Sequence, residues 1–149
     1  MKKLILFAMA LILAACAGLA PQKSELEQNQ QKWEDQNISH YRFNMNFSCF
    51  CIFRQDSPLV VEVQDGQVVS MEYANGNQLD ANGQEFFAQY STIDQIFEKL
   101  KAVSAGEADE VVVSYDPTYG FPQDVKIDYI KEAIDDEFSF TISDFAVLP

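Results

Sequence analysis

Histidine and tryptophan each occur once in the 149 residues, and lysine and arginine together only 10 times. Each scarcity excludes something. Ten basic residues against 23 acidic ones give a formal net charge of −13. A surface of that sign repels phosphate backbones and anionic lipid headgroups, so nucleic acid is not an expected partner. No phosphate loop, nucleophile elbow or zinc helix is present. Cysteine appears three times but never as Cys-x-x-Cys, the stronger redox spacing. The apolar run Leu4 to Leu13 is too short to span a bilayer.

What remains is rich in apolar residues, 48% of the chain with 12 phenylalanines, which excludes a disordered tail and suffices for one hydrophobic core. The amino-terminal stretch is of a different kind. Lys2-Lys3, the apolar run, and then Leu13-Ala14-Ala15-Cys16 resemble the bacterial lipobox. That resemblance implies a signal peptide over residues 1–15, diacylglyceryl transfer to the Cys16 sulfur, cleavage after Ala15 and N-acylation of the new terminus. Several acyl chains make such an anchor effectively permanent. Ala17 is not the aspartate that retains Gram-negative lipoproteins at the inner membrane, so the sorting rule implies the outer membrane, facing the periplasm. Removal of Lys2 and Lys3 with the leader leaves 8 basic against 23 acidic residues, a mature net charge of −15.

Residues 16–23 have no periodicity and read as a lipidated cysteine and tether; residues 24–149 read as a single domain. Ser24 and Glu27 form a capping-box pattern that opens a polar helix to about Gln36, whose apolar stripe is little more than Leu26 and Trp33. Trp33 is its packing anchor. From His40 to Ser48 the alternation is clean, with Tyr41, Phe43, Met45 and Phe47 on one face and His40, Arg42, Asn44, Asn46 and Ser48 on the wet one. His40 therefore reads as a surface histidine rather than a general base or metal ligand.

Cys49-Phe50-Cys51 ends that strand. An even pair of thiols in an oxidising compartment favours a disulfide, with two loosely packed thiols, a redox pair and half of a metal site as the alternatives. Fully extended strand spacing places the two Cα atoms near the upper limit of disulfide geometry, so a disulfide requires a bend. Leu59 to Gln64 and Gln67 to Tyr73 flank Asp65-Gly66, the strongest short-range hairpin signal. Residues 74–89 read as a long loop ending at Phe86 and Phe87. Thr92 and Gln95 open a second helix carrying Ile93, Ile96, Phe97, Leu100 and Val103, stopped by Gly106.

Val111 to Asp116, Gln123 to Tyr129 and Glu137 to Phe145 read as three further strands, the last with Phe138, Phe140, Ile142 and Asp144 on one face. Helix and three strands thus occur twice. The expected fold is α+β, an antiparallel sheet of about six strands with helices on one face, as a tandem helix-plus-three-strand repeat.

Tyr115-Asp116-Pro117-Thr118-Tyr119-Gly120-Phe121-Pro122 is the densest turn chemistry in the chain. With Asp124, Asp128, Asp135, Asp136 and Glu137 it reads as a wide acidic hairpin. Three roles are open to it: a structural turn pinned by Tyr115, Tyr119 and Phe121, an oxygen-rich rim for a cation, or a docking surface for an envelope protein. No loop has the twelve-residue calcium spacing, and no metal or other cofactor is expected.

Trp33, Cys49-Phe50-Cys51, Asp65-Gly66, Thr92-Ile93-Asp94 with Phe97, the Tyr115–Pro122 stretch, Ile127-Asp128 and Asp135-Asp136-Glu137 together resemble a family of small bacterial lipoproteins classed as a domain of unknown function. The resemblance spans nearly the whole mature chain and implies an envelope location without implying an activity. The expected function is non-catalytic binding by a membrane-anchored module. The competing expectation is an envelope enzyme using Cys49, Cys51 or the carboxylates with His40.

Overall fold

The structure, a computed structural model, describes residues 23–52 and 56–149. The leader and Cys16 lie outside the described residues. Helix α1, Glu25–Asp35, begins with both halves of the capping box: the Ser24 hydroxyl accepts from the Glu27 amide, and the Glu27 carboxylate accepts from the Ser24 amide. Strand β1, His40–Cys49, follows, then β2, Leu59–Gln64, and β3, Gln67–Tyr73. The two-residue turn between β2 and β3 has Asp65 and Gly66 both at positive φ, +52° and +74°, as a type I′ hairpin requires.

Within the stretch read as a loop the chain forms α2, Ala81–Phe87, capped by the Asp80 carboxylate on the Gly83 amide. The Asn82-Gly83 pair that reads as a turn lies inside its first turn. The helix holds because Phe87 is fully buried and its ring meets Phe47 at 4.6 Å. Helix α3, Ile93–Ala102, starts at the Thr92 cap and buries Ile93, Ile96, Phe97 and Leu100. The helical turns end at Gly106, whose φ of +123° a side chain would resist. Strands β4, Glu110–Tyr115, β5, Pro122–Asp128, and β6, Phe138–Val147, complete the fold.

All six strands form one antiparallel sheet in the order β3-β2-β1-β6-β5-β4. The helix-plus-three-strand order recurs along the chain, but β1 is central whereas β4 is an edge. The second three strands fill their half of the sheet in reverse, so the repetition is one of element order and not of position.

Tyr41, Phe43, Met45, Leu59, Val61, Val63, Val125, Ile127, Phe138, Phe140 and Ile142 are buried on the face covered by the helices. The opposite face is open, and small polar side chains pave its centre: Asn46, Thr141, Asp124 and Ser114 lie side by side in register across four strands. The Asp124 carboxylate accepts from the Thr141 and Ser114 hydroxyls at 2.7 and 3.2 Å.

A bulge breaks the alternation of β6. Arg42 pairs with Ala146 and Asn44 with Ser143, so Asp144 and Phe145 together oppose Phe43. Asp144 takes a φ of +51° and is exposed, and the Asn44 amide donates to its carboxylate at 2.8 Å. Asp144 therefore does not continue the Phe138, Phe140, Ile142 face as simple alternation expects. Phe145 takes that place, packing on Trp33, Tyr41 and Phe121.

Candidate functional site

The residues that the sequence groups into one acidic hairpin are divided between the two ends of β5. Seven strand residues at about 3.3 Å each put about 20 Å between the turn before Pro122 and the loop after Asp128. Tyr115, Asp116, Tyr119 and Phe121 are at one end. Asp128, Asp135, Asp136 and Glu137 are at the other, and Asp124 lies between them on the open face.

The first end is a seat for α1. Asp116 closes the turn on itself, its Oδ1 accepting from the Thr118 and Tyr119 amides at 2.8 and 2.7 Å. The Gly120 amide donates to the Asp116 carbonyl and the Asp116 amide to the Phe121 carbonyl. Tyr119 and Phe121 stack on one another and meet Phe145 at a tilt, and Trp33 of α1 meets Phe121 edge-on. The Lys32 ammonium donates to the Pro117 carbonyl. Tyr115 stacks on Phe97 of α3, and burial pushes its hydroxyl up to about 12. Every polar group of Asp116 named here is occupied within the turn, so this end is architecture.

At the second end the loop 129–137 joins β5 to β6. Asp109, Glu110, Asp128, Asp136 and Glu137 converge there. Two backbone amides are held by carboxylates, Ile130 by Asp136 and Lys131 by Asp109. Glu110, Val112, Lys126, Asp128, Glu137 and Ser139 line a concavity of about 280 Å³ on the open face, three carboxylates and one lysine around a largely apolar surface. Burial, and then the charges of Asp136, Glu137, Glu110 and Asp109, push the Asp128 carboxyl above its ordinary value. Its Oδ1 and the Asp136 Oδ1 are buried without a protein donor. Among the described residues no three His, Cys, Asp or Glu side chains are grouped so as to hold a metal ion.

The raised Asp128 carboxyl has a definite consequence for stability. A carboxyl with a folded pKa above its unfolded value of about 3.8 weakens the fold when ionised. The penalty is absent below the unfolded value and complete above the folded one. Asp128→Asn is therefore expected to raise the melting temperature at pH 7 and to leave it unchanged at about pH 3, where both states are already protonated. Thermal denaturation at the two pH values checks this; an equal shift at both would assign the effect to something other than charge.

Beside the concavity the β1–β2 connection begins with a disulfide between Cys49 and Cys51, whose Cα atoms are 5.3 Å apart because the chain bends as β1 ends. His40 is at the far end of β1, about 30 Å away at strand spacing. Its ring nitrogens engage the Pro149 carbonyl at 2.9 Å and the Glu62 carboxylate at 3.2 Å, and these bonds raise its pKa.

The sequence reading omits Asp109, Glu110, Val112 and Lys126 from the site. Strand parity is the available signal, since it puts Glu110, Val112, Lys126 and Asp128 on the open face. Their convergence depends on the register of β4 against β5.

Residues 25–147 match the model of a family of unknown function, DUF6174. The chain belongs to that family. No curated protein and no solved structure matches the chain. Within the DUF6174 stretch lie the α1 seat, the disulfide and the concavity, and the family description carries no activity to any of them.

Proposed function

We propose that this DUF6174 protein is a lipid-anchored component of the bacterial cell envelope, held at the outer membrane by Cys16 and facing the periplasm, and that it acts by binding rather than catalysis. The observation that carries the binding reading is the concavity on an otherwise open sheet face, lined by Glu110, Asp128 and Glu137, where a buried Asp128 oxygen, like one of nearby Asp136, lacks a protein donor. A cationic group from an envelope protein would supply them. Two features weigh against the enzyme reading: Cys49 and Cys51 are tied to each other, and His40 lies at the opposite end of β1 from both.

Anchoring and binding are tested separately. Cys16→Ala is expected to move the protein from the membrane pellet to the soluble fraction without changing its melting temperature, because the tether separates acyl chains from core. Retention in the pellet after a high-salt wash would refute the anchor. For binding, a photo-crosslinking side chain is placed in cells at Val112, in the concavity, or at Val69, on the far edge of the sheet. The two valines are equally exposed, 53% each. Adducts from position 112 alone support the reading; none there, or equal adducts from both, count against it.

A further inference from the structure

The disulfide does more than close a loop. Cys49 and Cys51 are both half-buried and packed against the core, whereas Phe50 between them is 79% exposed. A residue whose two neighbours are joined to each other and held inward is turned outward on a short ring. Ile52, two residues on, is 90% exposed. Cys49 pairs with Phe138 at the start of β6, so the loop that precedes β6 leaves from the same end of the sheet, and it exposes Ile130 and Ile134. Single exposed apolar residues are ordinary. Here two loops at one end of the sheet contribute four of the eight large apolar side chains that are exposed among the described residues.

We infer that Phe50, presented by the Cys49–Cys51 ring at the end of the sheet that also exposes Ile52, Ile130 and Ile134, is the anchor of a docking surface for a protein partner whose apolar contact area is rimmed by lysine or arginine. The inference rests on the binding reading above and names the partner's chemistry. Charge selects this occupant over the others. Glu85 lines the hollow that Ile52 borders, and in the loop of the two isoleucines the one lysine, Lys131, is paired with Glu110 and outnumbered by Glu132, Asp135 and Glu137. A second copy of this chain brings the same negative charge and an anionic bilayer brings more, so both are repelled. A basic-rimmed protein surface is attracted, and an aromatic ring fixed in place loses little entropy on binding.

The test uses the purified full chain at about 0.15 M salt, where charges more than about 8 Å apart are screened. The binding probes are a synthetic amphipathic leucine–lysine peptide, its leucine–glutamate counterpart, and vesicles of phosphatidylcholine or phosphatidylglycerol. The leucine–lysine peptide is expected to bind, Phe50→Ser to weaken it about tenfold or more, and Ile134→Ser to weaken it less. The melting temperature should not move in either variant, since both side chains are exposed. The inference is overturned if the glutamate peptide binds as well, if vesicles bind in a Phe50-dependent way, or if no peptide binds. It also fails if Phe50→Ser leaves affinity unchanged while Asp128→Asn with Glu137→Gln lowers it, and in that case the concavity retains its binding role. If neither variant changes affinity and Val112 gives no adduct in cells, the broader binding reading fails with it.

Discussion

Gly120→Ala is expected to destabilise the protein by about 3 kcal/mol, and Gly66→Ala by about 1 kcal/mol, although both glycines occupy turns at positive φ. The φ values, +86° and +74°, impose a similar backbone cost on any L-residue. The surroundings differ. A Cβ at Gly66 would meet nothing within 4 Å, whereas one at Gly120 would lie 2.7 Å from the Asn29 carbonyl oxygen and 3.0 Å from the Lys32 Cβ. Asn29 is backbone in the middle of α1, so relief requires moving the helix off its seat. That movement breaks the Lys32–Pro117 bond and opens the contacts of Trp33 with Phe121. Urea denaturation of the two variants separates the terms: the Gly66 variant reports the conformational cost alone, and the excess at Gly120 reports the helix seat. Equal losses would show that α1 does not depend on this contact.

The same turn shows what a sequence discloses and what it withholds. Asp116-Pro117 and Gly120 declare a turn because the conformations they favour are local. That the turn supports α1 is not local, since Lys32 and Pro117 are 85 residues apart. The helix caps at Ser24 and Thr92 and the Asp65-Gly66 hairpin were legible for the same reason: each is decided by its own few residues. Helix α2 was obscured because Asn82-Gly83 sends a turn signal inside it, and only tertiary burial of Phe87 overrides that signal. The Asp144 bulge was invisible because it is set by what lies opposite, Phe43, in the strand at the other end of the chain. The acidic residues flanking β5 looked like one cluster because closeness in sequence was taken for closeness in space. A strand between them acts as a spacer of about 20 Å, and it delivers Asp128 to Glu110 instead of to Asp116.

Trp33→Ala is expected to cost about 3–5 kcal/mol, a large share of the stability of a domain this size. The side chain is 4% exposed and meets Tyr41, Phe145 and Phe121 edge-on at 5.3, 5.9 and 6.4 Å. Its indole Nε1 donates to Asp94 Oδ1 at 3.0 Å, in the first turn of α3. The rest of α1 is glutamate, glutamine, asparagine, lysine and aspartate apart from Leu26, and an isolated helix of 11 residues is not stable in water. Its apolar docking therefore depends chiefly on one ring, with Leu26 as the other side chain packed against the core. Trp33→Phe keeps most of the apolar contact and removes the hydrogen bond, as Asp94→Ala does from the other side, so each should cost about 1 kcal/mol and the two together little more than either. Trp33→Ala should also open residues 25–35 to protease while the sheet, whose central pair β1–β6 does not include the helix, resists cleavage for longer. If the sheet and the helix are cut at the same rate, α1 is an integral part of the core and not a docked strap. Since α1 is the first element among the described residues, the proposed Cys16 anchor would position the open sheet face through the helix that this tryptophan docks.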